Sequence, residues 1–252
     1  MGGSNRWEAK SPVSFKNETV NVFCVLASPV RVFGDVGRES RWRAPLIFAI
    51  TSSLVIGWFM VPALEEPMKK IYARSFGAGS AESVMATVMR SLLMVEMVVE
   101  PFLRIVRWMV VASALYVLCF ILLEHRRPSF AQCFSIAAYS EAILVLASAL
   151  DLFIIYARGL NQVESSGDLR FLTRGLEFVI APGGSNQVLA TLLSSVTLPS
   201  ILYVLYVSIG TGVVAGLKRS TSIGIGGLTW LFWLTVCAAR PVMEKAFFNM
   251  IG

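Results

Sequence analysis

The chain has 252 residues, of which 56% are hydrophobic and only 15% carry a charge. Soluble globular domains contain about 25% charged residues, so this composition excludes an ordinary soluble domain and indicates a membrane protein. The net charge of +6 would suit a nucleic acid or an anionic membrane, and the placement of the basic residues favours the membrane. The four cysteines are widely spaced and there is one histidine, so we expect no metal site of the usual kind and no cofactor.

Residues 1–43 precede the first long apolar run and are amphipathic from Phe15 onwards. Ser28-Pro29 places a capping residue before a proline, which is a common helix start. Val30, Phe33 and Val36 then share one face of the predicted helix. We therefore expect a cytoplasmic N-terminal segment whose short amphipathic helices lie on the membrane surface.

Five apolar segments are predicted to cross the membrane as helices, because a span needs about 20 apolar residues. The second is short, and Arg104 and Arg107 can extend it by snorkelling to the interface. The predicted spans are approximately 44–64, 104–123, 128–151, 188–217 and 220–239. The fold class is therefore an all-α integral membrane bundle of five transmembrane helices, accompanied by short interfacial amphipathic helices.

The segment Ser83–Val99 is a competing sixth span. Arg90 and Glu96 interrupt it, Glu100-Pro101 closes it, and its charges would form a polar stripe on a helix. These features favour an amphipathic helix at the interface or packed on the bundle.

Basic residues in short loops predict the orientation, since these loops stay in the cytoplasm. The tight turns at 124–127 and 218–219 are almost entirely basic. A sixth span would move both turns to the outside, so five spans are favoured. We expect the chain to lie in a bacterial inner membrane, with its N-terminus in the cytoplasm. The loops 65–107 and 157–187 and a short tail at 240–252 are then outside. Within the second loop, Leu169–Ile180 is predicted to form an amphipathic helix.

Basic residues beside the predicted spans are candidates for lipid headgroup contacts. Arg41 and Arg43 precede the first span, and Arg126 and Arg127 form the first tight turn. Each basic residue near an anionic surface contributes about 1 kcal/mol of membrane binding. Residues of this kind more commonly only set the orientation of the chain.

The sequence around the first span resembles a known family. Ser28-Pro29-Val30-Arg31-Val32-Phe33 is followed by Gly-Asp-Val-Gly-Arg-Glu-Ser-Arg-Trp-Arg-Ala-Pro-Leu-Ile, which runs into the span. This entry, five spans, and a last span rich in small residues resemble the bacterial branch of the Yip domain family over about residues 15–240. The Asp-Leu-Tyr-Gly-Pro and Gly-Tyr-x-Leu-Tyr motifs of eukaryotic members are not present. The resemblance implies a helical five-span organiser or adaptor without catalytic residues.

Glu141 is the sharpest single feature of the sequence, because it lies near the middle of the third predicted span. A charge there costs about 2.5–3.5 kcal/mol on insertion scales, so it should face the bundle and have a partner. Thr51, Ser52 and Ser53 are the partners we expect. Asp151 lies on the same helix, ten residues away and about 80° off alignment. The residue Glu141 is then either a proton or cation relay or a group that fixes helix packing.

Two groups of glycines flank the turn at 218–219, among them Gly212, Gly216 and Gly224. Small residues allow helix backbones to approach closely, so a tight hairpin of the last two spans is favoured over a homodimer contact.

Pro199 lies near the middle of the predicted fourth span and should kink it. Four tryptophans are candidates for interfacial or lipid contacts, with core or partner packing favoured for the last two; they are Trp58, Trp108, Trp230 and Trp233.

These features favour a non-enzymatic membrane scaffold or accessory subunit. Its expected partners are membrane lipids and either another membrane protein or further copies of the chain, with no nucleic acid. A small transporter or ion channel that uses Glu141 and a kinked fourth helix is the alternative.

Overall fold

The computed structural model describes residues 15–76, 81–124, 127–159, 175 and 192–251. Within these residues the chain forms seven α-helices of ten residues or more, which we number in order. They are α1 (Phe15–Ala27), α2 (Pro29–Arg38), α3 (Arg43–Phe76), α4 (Ala81–Leu122), α5 (Phe130–Arg158), α6 (Leu198–Ala215) and α7 (Arg219–Ile251).

Five of these helices contain a segment long and apolar enough to cross a membrane. The segments are Arg43–Ala63, Met97–Leu122, Phe130–Arg158, Leu198–Ala215 and Arg219–Ala239. The predicted helical membrane bundle with five spans is therefore confirmed for the described part of the chain.

Helix α5 is the central element of the bundle. It packs against α3, α4 and α6, and also against α1 and α2. In its most apolar window 56% of the residues are buried, compared with 22% in α3 and α7. Its start is fixed by a capping box, in which the Ser129 side chain accepts from the Gln132 backbone and the Gln132 side chain accepts from the Ser129 backbone.

Helices α1 and α2 are packed against the bundle. Val32, Phe33 and Val36 of α2 are buried, whereas Val30, which was predicted to share a face with Phe33 and Val36, is 62% exposed. The hydroxyl of Tyr206 in α6 donates to the carbonyl of Leu26 at 2.8 Å. The N-terminal segment therefore contributes to the same core as the spans.

The second span begins earlier than predicted. Helix α4 continues without a break through Pro101, which is buried inside it, so Glu100-Pro101 does not close the preceding segment. The predicted separate helix at Ser83–Val99 is the first part of α4. A proline removes one backbone hydrogen bond but does not end a helix when neighbouring helices support it.

The fourth span is shorter than the predicted 188–217. Helix α6 begins at Leu198, so Pro199 lies in its first turn and does not kink a longer helix. Proline suits this position because the first turn has no intrahelical use for its missing N–H. Thr197 and Ser200 form a capping box at this start. At the other end Gly216 has φ 65°, a left-handed conformation that favours glycine.

The last span ends at Ala239, close to the prediction, whereas the helix that contains it, α7, extends to Ile251. The predicted tail at 240–252 is therefore helical through most of its length. The predicted helix Leu169–Ile180 lies outside the described residues, apart from position 175.

Close approach of α6 and α7 depends on glycines, although not on all of those predicted. A Cβ at Gly212 would stand 2.9 Å from the Ser222 hydroxyl, and a Cβ at Gly226 would collide with Ser208. A Cβ at Gly224, in contrast, would meet nothing within 4 Å. Gly224 is thus not a packing residue between these helices, and Gly226, two positions later and on the opposite side of α7, takes that role.

We expect Gly226→Val to destabilise the α6–α7 pair, because its side chain must displace Ser208. Overpacking of this kind costs about 1–3 kcal/mol. Thermal unfolding of the purified protein in detergent should show a clearly lower melting temperature. Gly224→Val is the matched control, since it adds the same side chain to the same helix in open space. Equal melting temperatures for the two variants would contradict the packing described here.

Candidate functional site: an intramembrane charge cluster

Glu141 lies in the interior of the bundle. It is 1% exposed and stands about 17 Å along α5 from the start of that helix, at 1.5 Å per residue. This places its carboxylate near the middle of the third span. An ionised group at such a depth requires partners that replace its hydration.

Three side chains of α4 supply those partners. The Oε1 atom of Glu141 accepts from Arg104 Nη1 at 3.1 Å and from Arg107 Nη2. The Oε2 atom accepts from the indole Nε1 of Trp108 at 3.1 Å. Residues 104, 107 and 108 share one face of α4 because they are three or four positions apart. Both carboxylate oxygens are therefore bound, and the contacts join α4 to α5.

These contacts correct several expectations. Arg104 and Arg107 do not snorkel to the interface, and Trp108 is fully buried and does not contact lipid. The expected partners on α3 lie elsewhere, because the hydroxyls of Thr51 and Ser52 donate to carbonyls of their own helix. The hydroxyl of Ser53 is buried with no hydrogen bond partner.

The cluster extends towards the start of the second span through Arg104. Its Nε donates to Glu100 at 2.7 Å, and the Glu100 side chain is 42% exposed. The chain of charges therefore runs from an accessible carboxylate, through Arg104, to the buried carboxylate of Glu141 and on to Arg107. Removal of one partner from a buried charge pair costs about 3–5 kcal/mol, because the other charge is left uncompensated.

Asp151 belongs to a different part of α5. It is 2% exposed and lies ten residues from Glu141, about 15 Å along the helix. The two carboxylates therefore do not form one site, as their helical spacing predicts. Among the described residues no three His, Cys, Asp or Glu side chains are grouped so that they could hold a metal ion.

The arginines predicted to contact lipid have different surroundings. Arg41 is paired with Glu39 at 3.4 Å, and Arg43 is exposed at the start of α3. Arg127 donates to the carbonyl of Leu123 at 2.8 Å and lies 4.3 Å from the centre of the Phe120 ring. Arg126 lies outside the described residues. Of the three predicted arginines that the structure describes, Arg43 and Arg127 are exposed and Arg41 is partly buried.

The comparison with protein families gives a decisive match. The family model of the Yip1 domain matches residues 23–250, which is nearly the whole chain and includes all five spans. The chain belongs to the Yip1 domain family. No curated protein and no solved structure shows a significant match to it.

For this Yip1-family chain we expect Glu141→Gln to lower stability strongly, because two arginines lose their shared counter-charge within the bundle. The loss should be of the order of 3–5 kcal/mol, visible as a lower melting temperature in detergent. Glu100→Gln is the control, since its carboxylate is partly exposed and its loss should have a small effect. A Glu141→Gln variant with the same melting temperature as the wild type would show that the cluster does not hold α4 and α5 together.

Proposed function

We propose that the chain is a non-enzymatic membrane scaffold or accessory subunit that acts through contacts with other membrane proteins or lipids. The observation that carries the proposal is the closed set of contacts around Glu141. Arg104, Arg107 and Trp108 occupy both of its carboxylate oxygens. Two guanidinium groups beside the carboxylate repel a cation, and the three contacts join α4 to α5, so the carboxylate is suited to joining helices and not to relaying ions.

The outer surface of the bundle offers apolar area for such contacts. Helix α4 carries a row of exposed apolar side chains, among them Val98, Phe102 and Val106. Beside it, a groove of about 510 Å³ runs between α4 and α7 and includes the small residues Ser113 and Ala114. Small residues allow a transmembrane helix to approach closely, so this groove supports contact with a helix of a partner or of a second copy.

A small transporter or ion channel is the second candidate function. In its favour, a cavity of about 220 Å³ reaches Arg107, which is a partner of Glu141. The structure gives it no kinked fourth helix, since Pro199 lies in the first turn of α6. Transport through Glu141 would require this carboxylate to exchange its donors during each cycle.

Photo-crosslinking in intact membranes tests the scaffold directly. A crosslinking amino acid at Val117, which lines the groove, should give a discrete adduct with a second polypeptide. The same amino acid at Phe153, 70% exposed on α5, is the control on another surface and should give a weaker adduct. A chain that forms no adduct at either position and purifies alone as a monomer would contradict the proposal.

The double variant Glu141→Gln with Arg107→Gln separates the two functions. It removes one charge of each sign and leaves Arg104 paired with Glu100. A scaffold that folds in this form should keep its adduct at Val117. A transporter reconstituted in vesicles should show ion flux that this variant abolishes, and such a result would favour the second function.

We further propose that the membrane is a bacterial cytoplasmic membrane, with the N-terminus in the cytoplasm and the C-terminus outside. The basic turns between the spans support this orientation. Cysteine labelling tests this orientation, in a variant whose native cysteines have been replaced. A cysteine at Glu124, which is exposed after α4, should react with an impermeant maleimide only after the cells are opened. A cysteine at Ser165 should react in intact cells, and the reverse pattern would overturn the orientation.

A further inference from the structure

Helix α6 provides a measure of depth within the membrane. Its 18 residues extend about 27 Å at 1.5 Å per residue, which barely crosses a hydrocarbon core of about 30 Å. Both of its ends must therefore lie close to the two boundaries of that core. Helix α6 ends at Ala215, beside the basic turn at 218–219, so the depth of a neighbouring residue can be counted back from Ala215.

Helix α2 follows α6 from the inside of the membrane to this boundary. Gly37, near the end of α2, lies beside the last turn of α6, since a Cβ at Gly37 would stand 3.6 Å from the Cα atom of Val214. Phe33 lies against Gly210, whose added Cβ would stand 3.1 Å from the Phe33 ring. Because Gly210 precedes Ala215 by five residues, this contact is about 7.5 Å below the boundary.

The connection between α1 and α2 lies deeper still. The carbonyl of Leu26 accepts from the hydroxyl of Tyr206 at 2.8 Å, and Tyr206 precedes Ala215 by nine residues, which places it about 13 Å below the boundary. Side chains on a helix lean towards its N-terminus, and for α6 this direction leads away from the boundary. The contact is therefore no shallower than the position of Tyr206, and the end of α1 approaches the middle of the bilayer.

Helix α1 covers the same depth in the opposite direction. The carboxylate of Glu18 accepts from the backbone N–H of Ala44 at 3.3 Å, where the span in α3 begins. Further along, the Phe23 ring packs on the Phe48 ring with 5.5 Å between their centres. The eight steps from Glu18 to Leu26 rise about 12 Å, which agrees with the depth measured along α6. Helix α1 thus enters beside α3, and α2 returns beside α6.

The backbone at the deepest point keeps its hydrogen bonds, as the inside of a membrane requires. Ser28 separates the two helices, and its N–H donates to the carbonyl of Cys24 at 2.8 Å. The carbonyl of Ser28 accepts from the N–H of Val32 at 3.3 Å. Between the helices, the side chain of Asn21 on α1 donates to Asp35 on α2 at 3.3 Å, so these polar groups are also satisfied within the pair.

The outer side of the two helices is apolar as well as the inner side. Val22 and Val25 of α1 are buried against the bundle, whereas Val20 and Phe23 of the same helix are more than half exposed. Val30, at the start of α2, is also more than half exposed. A helix that is apolar on all sides fits a hydrocarbon environment and not a water-facing one. At the depths found for α1 and α2, that environment is the acyl chains of one leaflet.

Open positive charge accompanies the two helices. Three exposed arginines form no salt bridge with the described residues; they are Arg31, Arg38 and Arg43. The carboxylates of the same segment are engaged elsewhere, Glu18 with the start of α3, Asp35 with α1, and Glu39 with a neighbouring arginine. Guanidinium groups without a carboxylate partner complement the phosphate of an anionic headgroup.

The basic turns lie at the same end of the bundle. The side chain of Gln132, at the start of α5, donates to the carbonyl of Gly37 at 2.8 Å, so the turn before α5 lies beside the end of α2. Lys218 and Arg219 are exposed in the turn that follows α6. Within residues 18–43 and these two turns, the described side chains include seven basic and four acidic ones. Positive charge therefore prevails at this boundary.

We propose that α1 and α2 do not lie flat on the membrane but form a re-entrant hairpin that penetrates one leaflet and binds anionic phospholipid. The acyl chains lie against Val20, Phe23 and Val30. The exposed arginines hold the phosphate, and Arg31, which lies deeper than Arg38, extends its long side chain towards the headgroups. This surface is distinct from the groove between α4 and α7, so this proposal and the scaffold function can fail separately.

Spin labels measure the depth of the hairpin in the full chain, reconstituted in vesicles of phosphatidylglycerol and phosphatidylcholine. In a variant without native cysteines, single labels are placed at Val20→Cys and Ala27→Cys, with Ile47→Cys and Val55→Cys on α3 as references. Collisions with oxygen and with a water-soluble nickel complex report the depth of each label. The references follow Arg43 by four and twelve residues, about 6 and 18 Å into the first span.

We expect the label at position 27 to report a depth between the two references, and the label at position 20 to report one close to position 47. Ala27 is exposed at the end of α1, so its label fits without displacing the core. Equal and shallow depths at positions 20 and 27 would describe helices flat on the surface and would overturn the proposal. Free access of the nickel complex to position 27 would overturn it, as would shielding from both reagents, which indicates a protein partner.

The preference for an anionic headgroup is tested on the chain with its native cysteines, in neutral detergent. Phosphatidylglycerol should raise the melting temperature of the wild type more than phosphatidylcholine does. In Arg38→Gln the binding of phosphatidylglycerol should weaken about fivefold, the effect of one basic residue at an anionic surface.

Arg158→Gln is the matched control for this measurement. Arg158, like Arg38, is an exposed arginine in the last turn of its helix, and it lies at the opposite end of the bundle because α5 begins beside Gly37. Its binding of phosphatidylglycerol should stay close to that of the wild type. Equal stabilisation by the two lipids, unchanged binding in Arg38→Gln, or an equal loss in Arg158→Gln would overturn the headgroup assignment.

Discussion

A carboxylate in the hydrocarbon region of a membrane must be given back the hydrogen bonds that water would supply. Glu141 obtains them from Arg104, Arg107 and Trp108 on the neighbouring helix. Because the partners come from α4 and the carboxylate from α5, the relative depth and rotation of these two helices are fixed together. The remaining helices pack around this pair, with α5 in contact with α3 and α6, and α4 in contact with α3 and α7.

The helices around that pair approach one another closely at glycine residues. Gly210 allows Phe33 of α2 and Ile136 of α5 to meet α6, since a Cβ there would lie 2.8 Å from Ile136 Cγ2. Gly226 similarly receives Ser208 at the α6–α7 contact. In a membrane, where apolar burial between helices contributes little, such close contacts carry much of the association. The N-terminal helices are included in this packing and complete the core at one end of the bundle.

Arg107 lies both in the structural cluster and at the wall of a cavity within the bundle. One of its nitrogens donates to Glu141, and Arg107 is also among the residues that line the cavity of about 220 Å³, together with Tyr203. Membership of the Yip1 domain family is consistent with the proposed scaffold function.

The sequence by itself determined the membrane class, the five spans and the need for a buried partner at Glu141, since these follow from apolar length and the cost of a charge in the bilayer. The sequence also indicated that Arg107 could pair with Glu141, because the two residues lie at similar distances from the turn that joins their helices. Only the tertiary structure decided that this pair meets, that Gly226 and not Gly224 is at the contact, and that Pro199 lies in the first turn of α6. Each of these depends on helix rotation and on where a neighbour packs, and periodicity along one segment does not specify either.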